Sequence, residues 1–103
     1  MTFTASLSVL DDKATIELVG ELDSAAAPKL HWAIEEAMRS DVSRLELLAG
    51  ELTYLSSAGL RALLFARQKM GTEGSVLLLG APEVVTRTIR LAGLERSIQM
   101  TDS

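Results

Sequence analysis

The chain has 103 residues, 48% hydrophobic and 23% charged, a balance that supports one globular domain and excludes a disordered chain. It has no cysteine and a single histidine, His31, which excludes disulfides, thiolate metal sites and His-rich zinc sites. A net charge of −4 with 4% aromatics argues against a nucleic-acid groove, no apolar run reaches the ~18 residues of a membrane span, and the first residues lack the basic and apolar regions of a signal peptide, so a cytoplasmic protein without membrane insertion or direct nucleic-acid binding is expected.

Residues 7–10 end a first strand, in whose early part Phe3 falls, and 11–13 make a turn. Residues 14–19 alternate apolar and polar side chains, the pattern of a half-buried strand, so the two segments are predicted to form an antiparallel hairpin. Gly20-Glu21-Leu22-Asp23-Ser24 is predicted to break that strand, with Asp23 or Ser24 capping a helix. Pro28 is tolerated in the first turn. Leu30, Ala33, Ile34, Ala37 and Met38 form one apolar stripe at helical spacing, and this helix should end near Ser40 and Asp41. A strand over 45–48 precedes Gly50.

A second helix starts at 56–59, turns Leu60, Leu63, Ala66 and Met70 to the core, and stops at Gly71. Residues 75–79 make a nearly continuous apolar strand, as in strands covered on both faces. Pro82 opens a third helix with Val85, Thr88, Ile89 and Ala92 inward and Gly93 as its cap, and 97–100 form a short last strand. Strands alternating with helices imply parallel strands joined by right-handed crossovers, the first strand being the antiparallel member. The expected fold class is α/β: a mixed, mostly parallel sheet of four to five strands packed with three or four helices.

Chemistry concentrates in residues 52–60, where Ser56 and Ser57 sit on a strand-to-helix turn. A helix start leaves backbone N–H groups unpaired and carries partial positive charge, so a phosphate there is stabilised by the scaffold. One reading is a phosphorylatable serine. The simpler one, from the residues alone, is an N-cap. A serine hydrolase fits poorly: there is no Gly-x-Ser-x-Gly elbow, and nothing in the sequence brings His31 to Ser57 as a base. Glu21 and Asp23 could act as an acid–base pair or metal ligands, but without further ligands a turn and a cap describe them better.

Gly20-Glu21-Leu22-Asp23, then Leu55-Ser56-Ser57-Ala58-Gly59-Leu60, then Pro82 with Leu91-Ala92-Gly93-Leu94, resemble in order and spacing the anti-sigma factor antagonist family, the STAS domain. The resemblance covers nearly the whole chain and implies one STAS domain over residues 1–103. It also implies a bacterial regulator that is not an enzyme and needs no cofactor. Such a protein captures an anti-sigma factor, a serine kinase of the histidine-kinase ATPase fold, and is phosphorylated by it on the serine that follows an Asp. Carried over, that serine is Ser57, and a PP2C-type phosphatase is the implied counterpart. Ser56 stands where the family has Asp, and Leu47-Leu48-Ala49-Gly50 lacks the family's frequent Asp. Losing a carboxylate beside Ser57 bears on kinase recognition and also lowers repulsion against an added phosphate.

At 100° per residue, Ser57, Arg61, Leu64, Phe65 and Gln68 share a stripe that begins at this serine. Phe65 is expected to be partly exposed, as in a partner interface. With the family resemblance, the expected partner surface comprises Glu21, Asp23, Ser24, Ser56, Ser57, Ala58, Arg61, Phe65 and Gln68. Arg67 points to the apolar side, where snorkelling is the plain explanation. Trp32 lies opposite the apolar stripe of its helix; a ring lying flat over neighbouring stems is preferred to a second contact, and a monomer or weak dimer is expected. The alternative function is a non-switching STAS scaffold in a stressosome-like or lipid-transport ABC complex.

Overall fold

The computed structural model describes residues 3–101. The chain runs β1 (Thr4–Leu10), β2 (Lys13–Leu22), α1 (Ala27–Ala37), β3 (Arg44–Leu55), α2 (Ser57–Met70), β4 (Ser75–Leu79), α3 (Glu83–Leu91) and β5 (Gln99–Thr101). The five strands lie in sequence order in one sheet. β1 is antiparallel to β2, and the other neighbours are parallel. Among the described residues the fold thus has five strands and three helices, within the expected α/β class of four to five strands and three or four helices.

The hairpin closes through Asp11 and Asp12, with Asp11 at φ +57, the left-handed conformation a two-residue hairpin turn demands of its first position. Right-handed crossovers between strands adjacent in both sequence and space put all three helices on one face. The core accordingly is a single layer between helices and sheet. Ile16, Leu47 and Leu78 are in register across β2, β3 and β4, and are fully buried together with Leu30 and Ile34 of α1, Leu63 of α2 and Ile89 of α3. No helix among the described residues is long and apolar enough to cross a membrane.

Several local expectations are corrected. β2 does not break at Gly20: at φ +105 the glycine lets the strand continue to Leu22. β3 likewise runs through Gly50 to Leu55. β4 is covered by helices on one face only. Val76 and Leu78 enter the core, whereas Leu77 turns to the opposite face and is shielded by its position between β3 and β5. α1 ends at Ala37 and continues only as turns. Ala92 follows the last residue of α3 and is exposed. β5 begins after the buried Ile98 rather than at Ser97.

Candidate functional site

β2 and β3 are parallel, so the helices that follow them start side by side at one end of the sheet. The approach is shaped by two bulges. Between Glu17 and Val19, and again between Gly20 and Glu21, β3 carries one residue more than β2. Bulges re-aim side chains. Here they send both Leu52 and Leu55 into the core and leave Glu51, Thr53 and Tyr54 exposed.

The two serines of the turn are fully distinguished by their bonds. Ser56 is extended and caps α2: its Oγ accepts from Gly59 N–H at 3.1 Å and donates to the Leu22 carbonyl at 3.0 Å. The same carbonyl accepts Ser56 N–H at 2.9 Å. Such a cap contributes about 1 kcal/mol. Ser57 is the first residue of α2 and is exposed, and its hydroxyl has no partner among the described residues. No acidic residue stands in the first turn, so no carboxylate of that turn offsets the positive end of the helix beside the hydroxyl.

Gly59 explains how the turn fits. A Cβ there would lie 2.7 Å from Leu55 Cδ1, 2.8 Å from Leu22 Cγ and 3.0 Å from the Leu22 carbonyl oxygen. The first turn of α2 therefore rests directly on the ends of β2 and β3. This holds the loop after Leu22 against the serine turn.

In that loop neither Asp23 nor Ser24 is the cap of α1, which is Ala26; Asp23 instead bonds the turn before the helix. Its Oδ1 accepts Ala26 N–H at 2.9 Å, and its carbonyl accepts Ala26 and Ala27 N–H at 3.1 and 3.0 Å. It closes the turn that leads into α1, whose own cap position, Ala26, has no side-chain bond. Ser24 is exposed and lines, with Ala58 and Arg61, a groove of about 470 Å³ between α1 and α2. His31, Trp32 and Glu35 form its α1 wall. Glu21 is half-buried and lies in register with Tyr54.

Phe65 is partly exposed as expected, and its ring also has partners within the molecule. Its ring stacks on His31 at 3.8 Å between centroids and 22° between planes, with Lys69 Nζ 5.6 Å from its centroid. It is half-buried in the seam between the helices and packs against the core. Gln68 is exposed but lines a separate groove with Arg67, Gly71 and Arg96, about 16 Å along the helix axis from Ser57. Arg67 does more than snorkel: it donates to the carbonyls of Gly71 and Gly74, tying down the turn after α2.

The structure thus gathers Glu21, Asp23, Ser24, Ser56, Ser57, Ala58 and Arg61 at one end of the sheet, sets Phe65 half-buried in the seam between α1 and α2 and leaves Gln68 apart. Residues that sequence reasoning did not place here are His31, Trp32 and Tyr54. The exposure of Trp32 on its helix was legible, but its position on the groove beside Ser57 depends on how α1 packs against α2.

A family model described as Mlab, STAS domain, matches residues 5–101. Among solved structures, an anti-sigma factor antagonist from Mycobacterium paratuberculosis superposes with a TM-score of 0.89 at 24% identity, covering 99% of this chain and 87% of that one. The anti-sigma factor antagonist SpoIIAA in its unphosphorylated form gives 0.75 at 22% identity, covering 97% and 89%. The Bacillus cell fate determinant SpoIIAA in its phosphorylated form gives 0.72 at 20% identity, covering 97% and 91%. The blocks of sequence around Asp23, Ser57 and Pro82, the sheet order and the match over nearly all of its length lead to one conclusion: the chain belongs to the STAS-domain family.

Proposed function

We propose that this protein is an anti-sigma factor antagonist: it captures an anti-sigma serine kinase, thereby frees a sigma factor, and is switched off by phosphorylation of Ser57. The observation that carries this is the division of labour in the turn. Ser56 is engaged on both sides of its oxygen, while Ser57 is exposed on the first turn of α2. The family's Asp is replaced by a residue that still supplies the capping acceptor. Unlike a carboxylate, it also donates to the Leu22 carbonyl.

In this reading the partner rests on Ser24, Ala58 and Arg61 around Ser57, with Glu21 and Asp23 at the border. The kinase transfers the γ-phosphoryl group of ATP to Ser57 Oγ, whose proton leaves as ADP departs. A PP2C-type phosphatase uses water to return the serine and inorganic phosphate. The added group brings about −1.5 to −2 charge at neutral pH. The helix start accepts it through unpaired N–H groups and its dipole, so no rearrangement of the fold is required. That SpoIIAA was solved in both forms, each with this fold, supports a local switch. The partner, meeting a dianion inside the contact, loses several kcal/mol. Such a protein works in the cytoplasm with its kinase.

Titration calorimetry with a purified anti-sigma kinase tests the reading. The unmodified protein and Ser57→Ala should bind, and Ser57→Asp should not. Equal binding of all three would contradict it. A second reading, a non-switching scaffold in a stressosome-like or lipid-transport complex, is favoured by Ser56 in the family Asp position. It predicts no phosphate on either serine.

A further inference from the structure

β1 is one of the two outer strands of the sheet. Its seven residues, TASLSVL, include no charge and no proline, and its register with β2 is unbroken. Exposed edge strands are ordinarily blunted by one of those devices. A two-residue turn makes Leu10 and Lys13 a hydrogen-bonded pair, and bonding alternates along an antiparallel ladder. Thr4, Ser6, Ser8 and Leu10 therefore bond to β2, and the backbone groups of Ala5, Leu7 and Val9 point to the open edge.

We propose that a second copy of this chain occupies that edge. β1 pairs antiparallel with its counterpart about a two-fold axis at Leu7, fusing two five-stranded sheets into one. Ala5 then bonds with the partner's Val9, Leu7 with the partner's Leu7, and Val9 with the partner's Ala5. All outward backbone groups of the strand are used, in roughly six hydrogen bonds. The interface is isologous and closes on itself.

Two features away from the backbone complement this register. The first is apolar. Beside Ala5 lies a groove of about 530 Å³, lined by Phe3, Pro28, Lys29 and Trp32. Val9 is 40% exposed and Trp32 63% exposed. The two-fold places Val9 at the mouth of the partner's groove, where it covers the indole. The second is charge. The register ends with Leu10 opposite the partner's Thr4, so the hairpin turn that carries Asp11 follows beside the partner's Phe3. In each copy Lys29 Nζ lies 3.4 Å from the Phe3 carbonyl oxygen, so Asp11 of one copy meets the partner's Lys29, and the pair forms twice. Asp12 is already engaged by Ser43 Oγ at 2.7 Å, whereas Asp11 is exposed. Within the paired strands no like charges are opposed.

Sedimentation equilibrium on the full chain, from about 1 μM to about 1 mM, spans the range in which an edge-paired dimer would dissociate. The mass should rise from 11.1 kDa to twice that value. Val9→Lys and, separately, Lys29→Glu should weaken association at least about tenfold. Adding Asp11→Asn to Lys29→Glu should recover part of the loss. Leu7→Cys gives a direct geometric readout, because the chain has no native cysteine and Cα atoms of a hydrogen-bonded antiparallel pair lie about 5.5 Å apart, within disulfide range. Mild oxidation should cross-link it, while Arg87→Cys on α3 should stay uncross-linked. Circular dichroism establishes that each variant is folded. A monomer at every concentration, a dimer indifferent to Val9→Lys, or a dimer of Leu7→Cys that does not cross-link would overturn the proposal.

Discussion

The segments that lead into α1 and α2 lie side by side at the end of the β2–β3 pair, and in each a side-chain oxygen accepts a backbone N–H three residues on. At α1 the oxygen belongs to the Asp23 carboxylate. At α2 it belongs to the neutral hydroxyl of Ser56. Neither helix carries an acid in its first turn, but the turn that leads into α1 contains Asp23, whereas Ser57 stands exposed directly on the first turn of α2. An anion added beside the Asp23 carboxylate is opposed by it, whereas one on the first turn of α2, behind a neutral cap, meets unpaired N–H groups and the positive end of the dipole. On the proposed function, this contrast is why the turn at Ser57, and not the one at Ser24, takes the covalent switch.

The largest expected effect follows from placing charge at the start of α2. Ser57→Asp should reduce kinase capture by more than ~3 kcal/mol, over a hundredfold. Ser24→Asp, which adds the same charge in the turn before α1, should cost less than ~1.5 kcal/mol. Calorimetry compares the two, and equal losses would erase the distinction. Next is packing beneath the start of α2. Gly59→Ala should destabilise the fold by about 2–3 kcal/mol in urea unfolding, because the new methyl meets Leu55, Leu22 and a backbone carbonyl.

Phe65→Ala should cost about 1–2 kcal/mol of stability, since it removes a half-buried ring stacked on His31; a change under about 0.5 kcal/mol would return Phe65 to the surface. Ser56→Ala and Asp23→Ala should each cost about 1 kcal/mol, with Ser56 the larger because its donated bond to Leu22 is also lost. Arg61→Glu should be the mildest for stability, at most about 0.5 kcal/mol, yet weaken capture by ~1–2 kcal/mol.

Element order was legible because the helices carry clean apolar stripes: Leu30, Ala33 and Ile34 on α1 and Leu63, Ala66 and Met70 on α2 are buried as their spacing requires. The extensions of β2 and β3 toward the site were not. Gly20 reads as a terminator until its positive φ is seen to carry the strand onward. The two bulges interrupt the period-two alternation that marks a strand. The stacking of Phe65 on His31 joins two helices and has no local signature. Most tellingly, two adjacent serines look alike in the sequence. Only the bonds of Ser56 to Gly59 and Leu22 separate the residue that holds the turn from the one left accessible on it.

Site mapping by mass spectrometry, after incubation with an anti-sigma kinase and ATP, tests this division of roles most directly. Phosphate is expected on Ser57 alone, with the same result in Ser56→Ala at reduced stability and none in Ser57→Ala. Phosphate on Ser56 in the wild-type protein, or its persistence in Ser57→Ala, would contradict the assignment of Ser56 to structure and Ser57 to the switch.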